Sequence, residues 1–234
     1  ALFKIVISMT PTNKKRQFYI HPEGWKFALI FFATSTGMYF LWVPAALIGY
    51  AVTFFVIWFF RDPERDVPND TNKIVSSADG KVCLIDEAIP PSELSMAPEK
   101  MKRICVFMNV FNVHVNRSPI AAEIENIVYK KGQFLNASLD KASDKNERSS
   151  LVLKTDNDAK IIVVQIAGLI ARRILGFAKI GERLDQGERF GLIRFGSRVD
   201  IYMPLDAITA CKLGDIVTAG ETVLASLPLS RGSQ

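Results

Sequence analysis

Histidine is the scarcest acid–base residue in this sequence, with only His21 and His114 among 234 residues. Imidazole chemistry therefore has two places to sit, and one of them lies near the start of the chain. Cysteine is nearly as rare. Cys83, Cys105 and Cys211 are odd in number, far apart and without a CxxC pair. They suggest neither a disulfide framework nor a zinc or other metal site, and they favour a reducing compartment. Acidic residues are almost missing from residues 1–61, where six basic side chains (Lys4, Lys14, Lys15, Arg16, Lys26, Arg61) face the single acid Glu23. Residues 62–234 hold 23 charges of each sign, so the net +5 belongs to the leading segment. That distribution argues against a nucleic-acid-binding face on the main body, and no nucleic-acid partner is expected. Internal repeats and low-complexity tracts are absent.

Between Phe27 and Phe60 there is no charge of either sign. A straight helix over that run would be about 51 Å long, against a hydrocarbon core of about 30 Å. Broken near Trp42-Val43-Pro44, it gives two short arms, and Pro44 is a natural bend. The expected form is a helical hydrophobic hairpin over 27–60, entering and leaving one leaflet or making two thin tilted spans. Lys26 and Arg61 then lie on one side, which the positive-inside tendency makes the cytoplasm. The competing structure is an apolar helix pair buried in a core. A cleaved signal peptide is disfavoured, because the run is too long and no small-residue cleavage site follows it.

After Arg61 the segment to Pro68 carries two prolines and alternating charge, and reads as an extended linker. Beyond it, short Val-, Ile-, Leu- and Phe-rich runs separated by Gly, Pro, Asn or Asp predict strands at 81–88, 103–108, 123–129, 150–155, 160–166, 190–195, 199–203 and 223–227. The fold class is thus mainly β, α+β overall with the helical N-terminus, in two parts: a basic membrane-associating segment 1–61 and a β-rich catalytic domain 62–234. A short helix is predicted over 168–175, and mobile surface over 90–102 and 140–149. Residues 212–225 show the two-turn pattern of barrel-sandwich domains. Lipoyl and biotinyl carriers share that pattern, and Asp140-Lys141-Ala142 repeats their tripeptide. The two features lie 73 residues apart here, so a polar loop is the better account of the tripeptide.

Three clusters carry potential chemistry. His114 is the only histidine after residue 61 and stands in Val113-His114-Val115-Asn116-Arg117-Ser118, a strand-like run with an unusual concentration of polar neighbours, Asn112 among them. Asp79 precedes Gly80 at the start of a predicted strand, as a turn residue or a buried carboxylate. The run Phe195-Gly196-Ser197-Arg198 interrupts a strand, as a β-bulge or a reactive bond.

Taken in this order, the three clusters resemble the short prokaryotic form of the phosphatidylserine decarboxylase family. The resemblance extends to Arg61-Asp62-Pro63-Glu64-Arg65 and to Ala171-Arg172-Arg173. It implies self-cleavage between Gly196 and Ser197 into a large β chain (1–196) and a small α chain (197–234), which form a heterodimer and leave room for a higher oligomer. Ser197 would become a covalent pyruvoyl cofactor, formed by attack on the Gly196 carbonyl, β-elimination and loss of ammonia. His114 would be the base, with Asp79 orienting its imidazole as in a triad. Phosphatidylserine would then be decarboxylated to phosphatidylethanolamine and CO2 through a Schiff base, at the cytoplasmic face of the cell membrane. The longer bacterial form has Leu-Gly-Ser-Thr, and a second histidine where Phe111 stands here. Headgroup phosphate recognition is therefore unassigned, with Arg117, Arg194 and Arg198 as candidates by charge. Family members also act on archaeal ether lipids with the same headgroup, and the residues do not choose between backbones.

Two other classes fit parts of the pattern. A membrane-bound serine hydrolase could use Asp79, His114 and Ser197 as its triad, although no Gly-x-Ser-x-Gly elbow is present. A non-enzymatic carrier of the lipoyl or biotinyl kind would use the barrel-sandwich turn and a modified lysine.

Overall fold

The computed structural model describes residues 18–68, 70–135, 145–168, 173–194 and 197–228. Strand β1 (Phe18–Ile20) leads into helices α1 (Pro22–Tyr39) and α2 (Val43–Phe59), and β2 (Arg61–Pro63) returns to pair antiparallel with β1. Pro22 and Pro44 both fall in first helical turns, where a missing N–H costs nothing. His21 caps α1, its Nδ1 accepting from the Glu23 amide at 3.3 Å. The two helices approach closely because Gly49 has no side chain: a Cβ there would lie 2.2 Å from Ser35 Oγ. The chain turns at 40–42, just before the predicted break, and Pro44 lies in the first turn of α2 rather than at the bend. No helix among the described residues is long and apolar enough to cross a membrane.

The remaining chain is mainly β. Its strands are β3 (Lys73–Val75), β4 (Gly80–Ala88), β5 (Met101–Met108), β6 (Val115–Arg117), β7 (Ala122–Lys130), β8 (Arg148–Lys154) and β9 (Lys160–Ala167). They continue as β10 (Ile174–Gly176), β11 (Arg183–Leu184), β12 (Arg189–Ile193), β13 (Ser197–Met203), β14 (Ile208–Thr209), β15 (Ile216–Val217) and β16 (Val223–Ser226). A curled eight-stranded sheet has the order β11-β7-β8-β9-β13-β5-β4-β15, and the three-stranded sheets β10-β12-β6 and β14-β16-β3 complete the body. All eight predicted strands are present. Period-2 alternation sends Ile161, Val163, Val199 and Ile201 into the main core and Ile162, Val164 and Tyr202 into a second cluster on the other face. A third cluster joins Phe59, Phe60 and Val56 of the helical end to Val113, Val115 and Leu192, which seats the helix pair on the sheet of β6 and β12.

Several local expectations are corrected. Residues 174–176 are a strand paired with β12 rather than the end of a helix, while 169–172 lie outside the described residues. Leu175 pairs with Leu192, and that cross-strand contact outweighs a weak helical pattern. The segment 90–102 is anchored, not loose: Leu94 is buried and Glu93 holds Arg148 and Lys130. Of 140–149, residues 140–144, with the Asp-Lys-Ala tripeptide, are outside the described residues, whereas Asn146, Arg148 and Ser149 are buried. The two-turn pattern of 212–225 is formed, with β15 between Gly214 (φ +96°) and Gly220 (φ +76°).

Candidate active site

Strand pairing brings the predicted clusters together. Gly191 and Leu192 of β12 lie opposite Asn116 and Val115 of β6, and the Ile193 amide donates to the His114 carbonyl at 3.2 Å. His114 therefore stands beside the end of β12, from which Arg194, Phe195 and Gly196 lead to Ser197, the first residue of β13. Phe195 and Gly196 lie outside the described residues. Ser197 is paired with Met108 of β5 on one side and Ala167 of β9 on the other. One strand further, Lys81 pairs with Phe107, so Gly80 and the adjoining Asp79 sit at the same end of the sheet. A Cβ on Gly80 would meet the Phe107 carbonyl at 2.2 Å, which is why glycine follows Asp79.

Ser197 is 0% exposed, and its Oγ has no hydrogen-bond partner among the described residues. Such atoms are rare in folded proteins because leaving a hydroxyl dry and unpaired costs about 1–3 kcal/mol. His114 is also fully buried. Its Nδ1 lies 2.9 Å from the Asn112 carbonyl, which can only accept, so Nδ1 carries the proton and Nε2 the lone pair. The Phe59 ring of α2 packs on the imidazole at 4.2 Å between centroids. Burial pushes the His114 pKa down to about 4 against the pull of the Asn112 carbonyl, and Arg61 lowers it further. At neutral pH the ring is uncharged, as a general base must be.

Asp79 does not orient that ring in this structure. Arg65 Nη2 donates to both of its oxygens, at 2.9 and 2.8 Å, and the Ala219 amide donates to Oδ1 at 2.8 Å. The charge-assisted contact of Arg65 Nη2 outcompetes a neutral imidazole for the carboxylate, and the Asn112 carbonyl is what His114 Nδ1 meets instead. Sequence reading passed over Arg65, although it closes the quoted Arg61–Arg65 run. It also passed over Phe59, which periodicity could not distinguish from its aromatic neighbours.

The three candidate arginines separate clearly. Arg198 follows Ser197 in a strand and so points to the opposite face, where it is 1% exposed and held by Asp200 at 2.6 and 2.9 Å. Arg117 donates to Asp62 at 2.8 Å, to Pro63 O at 2.9 Å and to Gly187 O at 3.0 Å, tying β2 to the body. Each of these buried guanidiniums is already matched to a carboxylate, so taking a headgroup would cost an existing ion pair. Arg194 differs. It meets Glu23 at 2.6 Å and lies over the Phe27 ring at 5.0 Å, while its buried Nε has no partner among the described residues.

A family model described as phosphatidylserine decarboxylase matches residues 52–225. That span runs from the second half of α2 to the last strand and contains Asp79, His114 and Ser197. With that match over most of its length, the chain belongs to the phosphatidylserine decarboxylase family and is a carboxy-lyase.

Proposed function

We propose that this chain cuts itself between Gly196 and Ser197, converts Ser197 to a pyruvoyl group, and decarboxylates phosphatidylserine to phosphatidylethanolamine at the cytoplasmic face of a membrane. The observation that carries the reading is the buried Ser197 hydroxyl, without a hydrogen-bond partner among the described residues, four residues after Ile193, whose amide donates to the carbonyl of a neutral His114. His114 Nε2 takes the hydroxyl proton, and Ser197 Oγ forms a bond to the Gly196 carbonyl carbon as the peptide C–N bond breaks. The resulting ester then eliminates: the Cα proton of residue 197 leaves with the Gly196 carboxylate. Water replaces the amine as ammonia departs. The pyruvoyl group so formed supplies a ketone that takes up a substrate amine with loss of water and accepts the electron pair freed with CO2.

The surroundings of Ser197 suit such a group. Its cross-strand neighbours Met108 and Ala167 carry no charge, and a desolvated site favours a step in which a carboxylate is lost. His114 is the residue to return a proton to the substrate carbon. Arg194, at the foot of the helix pair with a free buried Nε, is our candidate for the headgroup phosphate. The exposed apolar tip formed by Phe40, Leu41 and Trp42, at 81%, 82% and 62% exposure, supports insertion of the helix pair into one leaflet. Basic residues of the leading segment add about 1 kcal/mol each near an anionic surface.

Intact-mass analysis of purified protein tests the reading. We expect two polypeptides, 1–196 and 197–234, with residue 197 blocked to Edman chemistry. A single unmodified chain from active material overturns it.

A further inference from the structure

The interior face of β9 is an apolar row, Ile161, Val163 and Ala167, broken by one polar residue, Gln165. Gln165 pairs in register with Val199, two residues along β13 from Ser197, and period-2 alternation puts Gln165 and Ser197 on the same face. Both are 0% exposed. Gln165 Nε2 donates to Asn116 Oδ1 at 2.8 Å, and Asn116 Nδ2 reaches the Ser77 carbonyl at 3.4 Å and Met108 Sδ at 3.7 Å. Met108 is the cross-strand partner of Ser197, so these contacts run from Gln165 back to the reacting residue. Among the described residues Gln165 Oε1 has no hydrogen-bond partner, and neither has Ser77 Oγ.

The orientation of the amides is fixed by their partners. The Ser77 carbonyl can only accept, so Asn116 turns its NH2 there and its oxygen toward Gln165. Gln165 then gives an N–H to Asn116, and the atom it leaves without a partner among the described residues is Oε1. Gly191 closes the other side, since a Cβ there would lie 2.7 Å from Gln165 Nε2. A serine phospholipid headgroup holds a carboxylate and a phosphate, which have no hydrogens to give, and an amine, which does. We infer that Gln165 Oε1 is the binding group for the substrate amine, positioning it over residue 197. The inference rests on the pyruvoyl reading above. A neutral acceptor is the right group for this contact, since a carboxylate in its place would hold the amine as ammonium, whereas an amide in a dry site lets it lose its proton and become a nucleophile.

The test uses the purified two-chain protein with phosphatidylethanolamine in detergent and cyanoborohydride, reading the mass gained by the small chain over time. This lipid carries the amine without the carboxylate, so it isolates the contact in question. Gln165→Met keeps the volume and removes the acceptor; lipid-amine labelling is expected to slow about tenfold. Methoxyamine, already unprotonated, should label that variant at the wild-type rate. Gln165→Glu keeps an oxygen, and its labelling should be retained with a shifted pH profile. Lipid labelling of Gln165→Met at the wild-type rate overturns the inference. If Gln165→Met does not cleave, Gln165→Glu decides: a moved pH profile supports the assignment, and one superimposed on the wild type overturns it. Failure of the underlying reading shows differently, as wild-type protein that stays in one piece and takes up no methoxyamine, and the inference falls with it.

Discussion

His114 couples the chemistry of the site to the stability of the fold. Its pKa is about 4 in the folded chain against 6.5 unfolded, so between those values the unfolded state binds more protons. The contribution is therefore fully present above pH 6.5 and is lost as pH falls through about 4, amounting to about 3 kcal/mol at 1.36 kcal/mol per unit. His21 is shifted the same way by burial, so the slope is assigned by substitution. Denaturant titrations of His114→Gln and wild type should show a shallower loss between pH 6.5 and 4 in the variant. On the proposed mechanism the same variant should stay uncut on a denaturing gel, as should Ser197→Ala, since one would lack the base and the other the nucleophile. Asp79 calls for a different test. Arg65→Met strands its carboxylate in a mostly buried setting, with an expected cost of about 3 kcal/mol by thermal or chemical unfolding.

Elements made of several alternating apolar residues could be read directly from the chain: β4, β5, β7, β8, β9, β12, β13 and β16 all lie where the pattern puts them. Two- and three-residue strands such as β6, β10, β11, β14 and β15 could not, since so short a run has no period to detect. β6 matters most among them, because its pairing with β12 is what sets His114 beside the end of β12. At this scale the helix pair is also part of the site, through the Phe59 ring on the imidazole. Phe59→Ala should destabilise the protein by about 3–5 kcal/mol, as loss of a fully buried aromatic side chain does. It should also slow cleavage, which a time course after synthesis would register.

At the scale of the whole molecule, the fold would survive the proposed cut. β13 begins at Ser197 and lies between β9 and β5 in the centre of the large sheet, while β15 and β16 pair with β4 and β3. A small chain 197–234 would keep all these ladders, so the fragments should co-elute under native conditions and part only in denaturant. Replacing Phe40, Leu41 and Trp42 by serine should weaken co-sedimentation with anionic vesicles by tenfold or more, at about 1.5–3 kcal/mol for each large apolar side chain. Cleavage should continue, since that tip is distant in sequence from the packed base at Phe59 and Phe60. Composition and motif order by themselves determined the uncharged run, the mainly β body, and the identity of His114 and Ser197 as the residues to watch, because these depend on which side chains are present and at what spacing. Only the tertiary structure decided that Asp79 belongs to Arg65, that Arg117 and Arg198 are occupied, and that Gln165 faces Ser197's side of the sheet. Hydrogen bonding and charge pairing are competitions among neighbours in space, and the winners are set by strand register, which a linear order of residues does not state.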